Sequence, residues 1–207
     1  MFYGQKIDGE FADKKILEVF PYLNKKNGFF IECGAADGII DSSCKYFEES
    51  LNWKGINIEP FDCLYKKLIK NRPNSINVFG ALSNKIGEVN FASTLHTYIG
   101  CGSINGPNDY LKSKIKDNKK IIYSKVKTIT YEYIINKYNI TKIDLFVLDI
   151  EGHELEVIND MKKCSILPDT FVIEYGHVGL EKINNSVYNL GYKFIINDSV
   201  NSFYEKK

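Results

Sequence analysis

The chain has 207 residues, of which 44% are hydrophobic and 26% charged, values typical of a soluble globular protein. This length is enough to bury the core of one domain. Lysine and arginine total 27 against 26 acidic residues, and Arg72 is the only arginine. Near-neutral charge gives no general attraction to nucleic acid or to an anionic membrane. A nucleic-acid partner is further disfavoured because arginine is the side chain that best binds phosphate and guanine.

The N-terminal residues and the cysteines indicate the cellular compartment. The segment from Met1 to Asp8 is too polar for a secretory signal, and no apolar run reaches the roughly 18 residues needed to span a bilayer. The five cysteines are widely spaced and contain no Cys-x-x-Cys pair, which disfavours a disulfide framework and a zinc site. We therefore expect a soluble, cytoplasmic protein with no membrane insertion.

Short apolar runs alternate with helical patterns along the chain. In chain order the predicted elements are strand 28–33, helix 42–51, strand 54–59, helix 62–70, strand 76–82, strands 88–92 and 121–126, helix 131–138, strand 143–149, helix 154–162, strand 170–174, helix 180–190, and strands 192–196 and 202–205. Near-continuous apolar strands separated by helices predict an α/β fold, a parallel sheet with helices on both faces. We expect one domain over 1–207, with an N-terminal helical segment at 1–27 and a long irregular insertion at 93–120.

Carboxylates stand at the carboxyl ends of four of the five main predicted strands, at Glu32, Glu59, Asp149 and Glu174. In a parallel sheet the ligand binds beyond the carboxyl ends of the strands, where the strand order reverses. Helix capping or a solvated loop is the simpler interpretation of any one of these acids. Because four of them recur at one predicted edge, we expect them to surround a ligand.

The turn after the first predicted strand indicates the chemistry of that ligand. It contains two glycines, Gly34 and Gly38, and lacks the third glycine of the dinucleotide-binding pattern. Glu32 and Asp37 would repel a pyrophosphate but suit an ammonium or a sulfonium group, both of which S-adenosylmethionine carries. Glu59, at the tip of the next strand, suits the two ribose hydroxyls of an adenosine. Together these residues predict S-adenosylmethionine as the cofactor.

Three segments in register resemble the FkbM-type methyltransferase family: GFFIECGAADG at 28–38, WKGINIEP at 53–60 and DIEGHE at 149–154. The resemblance implies a class I methyltransferase fold, Rossmann-like, with a seven-stranded, mostly parallel sheet whose last strand is antiparallel. It also implies O-methylation, with hydroxyls of sugars or polyketide-like small molecules as typical acceptors. The chain departs from the family pattern at Cys33, where isoleucine is commoner, and at His153, where a small residue is usual.

The resemblance also implies a set of cofactor contacts. The first turn would approach the methionine part, the acids beside it would lie near the amino group or sulfonium, and the third strand end would contact adenine. Ser42 and Ser43 would reach the methionine carboxylate, with helix capping as the equal alternative. The implied cofactor-binding residues are Glu32, Gly34, Ala35, Asp37, Gly38, Ser42, Ser43, Glu59, Pro60, Ala81, Leu82 and Asp149.

Methyl transfer to an alcohol requires that the hydroxyl be aligned and its proton removed. We predict Asp149 as the positioning acid, with His153 or His177 as the base; a polar loop or a helix start is the alternative for each histidine. A Mg²⁺ ion on Asp149 and Glu174 is a second way to acidify the hydroxyl.

The insertion at 93–120 is the predicted acceptor-recognition loop and lid. His96 and Tyr98 within it, and Tyr175 beyond the fifth main strand, are predicted to contact the acceptor. We place Arg72 away from the strand-end motifs, which favours a neutral glycan over a nucleotide sugar.

The leading hypothesis is therefore an S-adenosylmethionine-dependent O-methyltransferase acting on a sugar or glycan hydroxyl. An NAD(P)-dependent oxidoreductase on the same sheet and a catalytically silent, cofactor-binding family member remain as alternatives. An amino-methyltransferase is disfavoured because no Asn/Asp-Pro-Pro-Tyr/Phe motif follows the fourth main strand.

Overall fold

The structure is a computed structural model that describes residues 1–94, 102–104, 106–107, 112 and 121–207. The predicted acceptor residues His96 and Tyr98, and most of the predicted insertion, lie outside the described residues.

Six helices and thirteen strands are found in the described part of the chain. The helices are α1 Ala12–Val19, α2 Lys45–Leu51, α3 Asp62–Asn71, α4 Tyr131–Lys137, α5 Glu154–Met161 and α6 Leu180–Tyr188. The strands are β1 Lys6–Ile7, β2 Glu10–Phe11, β3 Phe29–Cys33, β4 Lys54–Glu59, β5 Ile76–Phe79, β6 Ala81–Leu82, β7 Gly87–Thr94, β8 Gly102–Ile104, β9 Ile121–Ile129, β10 Leu145–Leu148, β11 Thr170–Glu174, β12 Tyr192–Asn197 and β13 Asn201–Lys206. Within residues 1–27, the β1–β2 hairpin therefore precedes α1. No helix of the described ranges is long and apolar enough to cross a bilayer.

The central sheet has seven strands in the order β12-β13-β11-β10-β3-β4-β5. Strands β11, β10, β3, β4 and β5 are parallel, whereas β13 runs antiparallel to β11. The expected seven-stranded sheet with an antiparallel last strand is thus confirmed. Along the chain, β4 and then β5 are added on one side of β3, and β10 is later added on its other side. The strand order therefore reverses between β3 and β10, which is where such sheets bind ligands.

Adjacent residues of the central strands enter two different cores, because side chains of a strand alternate between faces. Phe146, for example, joins a cluster with residues of α4, α5 and α6, while Val147 joins one with residues of α1 and α2. Both side chains are at most 5% exposed. Helices therefore cover both faces of the sheet, as the continuous apolar strands predict.

Four further strands form a second sheet, in the order β6-β9-β7-β8. The single strand predicted at 76–82 is wrong, because β5 stays in the central sheet and β6 pairs with β9 after a break at Gly80. The apolar run continues through the break, so only Gly80 marks it in the sequence. Strands β7 and β9 pair antiparallel over eight residues and flank the predicted insertion.

Candidate active site

The loops that follow β3 and β10 touch at the point where the strand order reverses. Gly34, the first residue after β3, has a φ of +80°. A Cβ at this position would lie 1.9 Å from the carbonyl oxygen of Asp149, the first residue after β10. Only glycine fits this contact, because it both tolerates a positive φ and has no Cβ. The absence of a side chain at Gly34 therefore allows the backbone of Asp149 to lie against the first turn.

We expect Gly34→Ala to lower the free energy of unfolding more than Gly9→Ala does. Gly9 also has a positive φ, of +90°, but a Cβ there would meet no atom within 4 Å. Gly9→Ala should cost about 1–2 kcal/mol of backbone strain. Gly34→Ala should cost about 1–3 kcal/mol more from overlap with Asp149. Urea denaturation of both variants measures the difference, and equal losses would contradict the close contact.

In the first turn, which follows β3, the Asp37 side chain forms hydrogen bonds with the backbone, and Gly38 packs against α3 and Arg72. One oxygen of the Asp37 carboxylate accepts hydrogen bonds from the backbone N–H groups of Ile39 and Ile40, both at 2.9 Å. Gly38 also has a φ of +80°, and a Cβ there would lie 2.6 Å from Leu68 and 2.7 Å from Arg72. Packing onto α3 and the residue after it is therefore a sufficient reason for this second glycine.

Arg72 lies directly beneath the first turn, so the prediction that it lies away from the strand-end motifs is wrong. Its side chain is fully buried, forms an ion pair with Glu48 and donates hydrogen bonds to Ser42 Oγ at 3.0 Å and to the Gly38 carbonyl at 3.3 Å. A guanidinium nitrogen is also 3.5 Å from a carboxylate oxygen of Glu32. Helix α3 ends next to the first turn. Because Arg72 is far from this turn in sequence, the sequence does not predict the contact.

Glu32 and Ser42 contact each other inside the protein. Ser42 Oγ donates to the Glu32 carboxylate at 2.9 Å, and the Cys44 N–H donates to it at 3.1 Å. Burial raises the pKa of Glu32, opposed by the charge of Arg72 and by these hydrogen bonds. Ser42 Oγ also accepts a hydrogen bond from Lys45 N, at the start of α2. Both side chains therefore support the turn, and their contact with a cofactor, like that of Ser43, stays a prediction.

Glu59 ties the tip of β4 to the first turn. Its two carboxylate oxygens accept hydrogen bonds from Ala36 N at 2.9 Å and Phe61 N at 2.8 Å. The side chain is only 4% exposed, and burial raises its pKa to about 8 despite both hydrogen bonds. The structure thus places a buried carboxylate, with no basic partner among the described residues, beside the loop expected to bind the cofactor.

The residues expected near adenine have buried or half-buried side chains. Ala81 and Leu82 form β6, are 4% and 2% exposed, and pack their side chains into the cores. Pro60 follows Glu59 at the end of β4, and its side chain is half-buried. The adenine contacts implied by the family resemblance stay predictions.

A cluster of ionisable side chains lies at the tips of β10 and β11. His177 Nε2 is 2.8 Å from a carboxylate oxygen of Glu151 and 3.7 Å from one of Glu174. Glu151 and Gly152 have φ values of +59° and +104°, so two successive left-handed residues turn the loop after β10 towards β11. A Cβ on Gly152 would lie 3.3 Å from the His177 Cβ, so the loop and the histidine are in contact.

Two further carboxyl groups, those of Asp149 and Glu154, complete this cluster. Glu154 is fully buried and accepts hydrogen bonds from the backbone N–H groups of Ile150 and Gly152 through one oxygen. Burial raises the pKa of Glu154 to about 7 and that of Asp149 above its usual range. Burial, together with the neighbouring acids, raises the pKa of Glu174 to about 11. Burial is the largest cause of all three shifts, and a cationic ligand at the strand tips would offset the cost of ionising these carboxyl groups.

The two histidines predicted as bases have different surroundings. His153 Nε2 lies 3.0 Å from Ser83 Oγ, and its Nδ1 lies 3.7 Å from a carboxylate oxygen of Glu156. Burial lowers the pKa of His153. His153 therefore connects the end of β6 to the start of α5, whereas His177 belongs to the acidic cluster. The role of either histidine as a base stays a prediction.

The hydroxyl group of Tyr175, a predicted acceptor residue, contacts the turn between β12 and β13. This hydroxyl donates a hydrogen bond to the carbonyl of Asp198 at 2.7 Å and accepts a longer one from Asn197. These contacts fix the β12–β13 turn against the end of β11, and the contact of Tyr175 with an acceptor stays a prediction.

No sequence pattern predicts the contacts of Glu154 or Ser83, and the predicted position of Arg72 is wrong. The Glu151-Gly152 pair directly after the clearest strand was the available signal, because a glycine there marks a sharp turn. No local pattern indicates the buried ion pairs of Arg72.

Comparisons with known proteins agree with this architecture. The family model described as "Methyltransferase FkbM domain" matches residues 32–194. The solved structure of the methyltransferase FkbM from Methylobacillus flagellatus is 12% identical with a TM-score of 0.54, over 86% of this chain and 43% of that one. The chain thus spans less than half the length of that protein. No curated protein matches the chain.

Two further solved structures have the same fold. The TehB-like SAM-dependent methyltransferase from Corynebacterium glutamicum is 10% identical with a TM-score of 0.50, over 95% of this chain and 88% of that one. TrmK from M. capricolum, in complex with S-adenosyl-homocysteine, is 10% identical with a TM-score of 0.50, over 95% and 66%. These likenesses establish the class I methyltransferase fold. Since the family model covers most of the chain, including both loops at the strand-order reversal, the chain belongs to the FkbM methyltransferase domain family.

Proposed function

We propose that the protein is an S-adenosylmethionine-dependent O-methyltransferase whose acceptor is a hydroxyl of a sugar or glycan. The observation that carries the proposal is the group of buried carboxylates at the strand-order reversal of an FkbM-family domain. The carbohydrate acceptor is supported by the family's typical acceptors and by the fact that Arg72, the only arginine of the sequence, is fully buried and so does not offer its guanidinium to a charged acceptor.

The residues at the strand tips suit the cofactor. Glu59 would accept hydrogen bonds from the ribose hydroxyls, and Asp149, beside Gly34, would lie near the positively charged groups. When bound, S-adenosylmethionine supplies a methyl group already activated by its sulfonium. Acidic side chains beside the first turn would repel the pyrophosphate of NAD(P), and the turn lacks the third glycine of the dinucleotide-binding pattern, which argues against the oxidoreductase alternative.

The acidic cluster would prepare the acceptor hydroxyl. Asp149 would orient the hydroxyl, and the imidazole of His177 would accept its proton. Glu151, 2.8 Å from His177 Nε2, would stabilise the imidazolium that forms. Glu174, whose raised pKa keeps it protonated at neutral pH, can donate a hydrogen bond to a neighbouring oxygen. The Mg²⁺ ion expected on Asp149 and Glu174 remains a proposal.

Glu59→Ala should weaken the binding of S-adenosylhomocysteine at least tenfold, or about 1.4 kcal/mol, because the ribose hydroxyls lose their acceptor. Calorimetry measures the affinity, and Glu88→Ala, an exposed acid of β7 paired with Lys125, is the control. Unchanged affinity of the Glu59 variant would contradict the assignment of this carboxylate to the ribose.

The affinity for S-adenosylhomocysteine should also depend on the ionisation of Glu59. With a pKa of about 8, this group is mostly protonated at pH 7 in the free protein. Ribose hydroxyls donate to the ionised form, so affinity should rise as pH increases towards 8 and then level off. Glu59→Gln should remove this component and leave the titration of the ligand's amino group and of the other acids at the site, including Asp149. A parallel pH profile in wild type and variant would oppose the mechanism.

Methyl transfer itself is tested with a labelled methyl donor and a panel of glycans and sugars, analysed by mass spectrometry. We expect a mass increase of one methyl group on an acceptor oxygen. Retention of S-adenosylhomocysteine with no transfer across the panel would favour the alternative of a catalytically silent member. Methylation of nitrogen in place of oxygen would contradict the proposed acceptor chemistry.

A further inference from the structure

Three side chains of metal-ligand type meet at the tips of β10 and β11. Glu151, Glu174 and His177 each offer one ligand atom, and these three atoms lie within 4.8 Å of one another. We propose that these residues form a binding site for a divalent transition-metal ion, with two carboxylates and one imidazole as its protein ligands.

The distances suit direct coordination. Metal–oxygen and metal–nitrogen bonds of about 2.0–2.2 Å place neighbouring ligand atoms about 3 Å apart and opposite ones about 4 Å apart. His177 Nε2 is 2.8 Å from Glu151 and 3.7 Å from Glu174. Small side-chain rotations therefore bring all three atoms onto one ion. The left-handed backbone at Glu151 and Gly152 brings the first ligand across from β10 to β11.

A second observation independently points to a cation. Glu154 is fully buried, and its second carboxylate oxygen has no hydrogen-bond partner in the described part of the chain. One oxygen of Glu174 is likewise buried and unpartnered there. Glu154 is close enough to Glu174 for its charge to act on that group. Buried carboxylate oxygens without partners are costly, and a cation held by the adjacent ligands would offset that cost.

The donor set indicates the class of metal. Mg²⁺ and Ca²⁺ prefer oxygen ligands, whereas imidazole suits Fe²⁺, Ni²⁺ and Zn²⁺, and Mn²⁺ is a transition metal that carboxylates suit. The combination of His177 with two carboxylates therefore favours a transition metal over the Mg²⁺ expected from the sequence. Asp149 adjoins this ligand set but is not one of its three members.

The consequence for catalysis rests on the proposed function. Three protein ligands leave coordination positions open, and an acceptor hydroxyl bound there would have a lowered pKa. Its O–H bond would break with the proton passing to the Asp149 carboxylate, and the oxygen would keep the electron pair that attacks the methyl carbon. His177 would then act as a metal ligand in place of a base.

The test is Mn²⁺ binding by the full chain after chelator treatment and dialysis, measured by calorimetry and electron paramagnetic resonance without cofactor or acceptor. We expect one ion per chain, with Glu174→Gln and His177→Gln each weakening binding by about tenfold or more. Glu181→Gln, an exposed acid of α6, should bind as the wild type does. Circular dichroism and thermal unfolding identify any variant that fails to fold, and the wild-type titration stands without the variants.

Absence of Mn²⁺ binding by the wild type, or unchanged binding by a folded Glu174→Gln variant, would overturn the metal site. These outcomes do not depend on whether the proposed function is correct. Binding of S-adenosylhomocysteine without Mn²⁺ binding would reject only the metal site, and the reverse result would reject only the methyltransferase proposal.

Discussion

Replacing His177 by glutamine should lower kcat for methyl transfer by a factor of about 100 or more while leaving the affinity for S-adenosylhomocysteine close to that of the wild type. The reason is that His177 contacts Glu151 and Glu174, at the end of the sheet assigned to the acceptor. Loss of a positioned proton acceptor typically costs a factor of 10² to 10⁴ in rate. Loss of a metal ligand would act in the same direction. Single-turnover rates with the labelled donor and the acceptor identified from the panel measure the effect.

His153→Gln is the matched control for this prediction. Its imidazole contacts Ser83 and Glu156 and lies outside the Glu151–Glu174–His177 ligand set. We expect its loss to lower kcat less than tenfold. A larger loss for His153→Gln than for His177→Gln would reverse the roles assigned to the two histidines.

Arg72→Met should destabilise the protein by about 3–5 kcal/mol, because it leaves the partners of a buried cation without compensation. Arg72 is fully buried between Glu48 and Glu32, and it also donates to Ser42 and to the carbonyl of Gly38. The first turn loses this support together with the ion pair. Urea denaturation followed by circular dichroism measures the free energy of unfolding.

Two controls separate the buried charges from lost packing. Lys66→Met removes the exposed ion pair with Asp62 and should cost less than about 1 kcal/mol. Adding Glu48→Leu to Arg72→Met should recover part of the loss, since the double variant removes one of the carboxylates left unpaired. A cost below about 1 kcal/mol for Arg72→Met, or no recovery in the double variant, would contradict the account of this network.

Much of the fold follows from patterns within single segments. The parallel strands β3, β4, β5, β10 and β11 are nearly continuous apolar runs, and apolar side chains on both faces of a strand require helices on both faces of the sheet. Acids at the carboxyl ends of β3, β4, β10 and β11 then share one edge, because parallel strands end on the same side. Glu59 and Asp149 could therefore be placed near the first turn from the sequence alone.

Other features depend on contacts between distant segments, which no local pattern encodes. The apolar run from Ile76 to Leu82 continues across Gly80, so the transfer of β6 to a second sheet is visible only in its pairing with β9. Arg72 lies 34 residues after Gly38 yet packs against it. The roles of Glu151 and Glu154 likewise arise from the way the loop after β10 turns towards β11.

Calorimetry of the wild-type chain with S-adenosylhomocysteine, and in parallel with NADH, tests most directly whether the acidic strand tips form a site for a cationic adenosine cofactor. We predict binding of one S-adenosylhomocysteine per chain and none of NADH. No binding of S-adenosylhomocysteine, or binding of NADH in its place, would contradict that assignment.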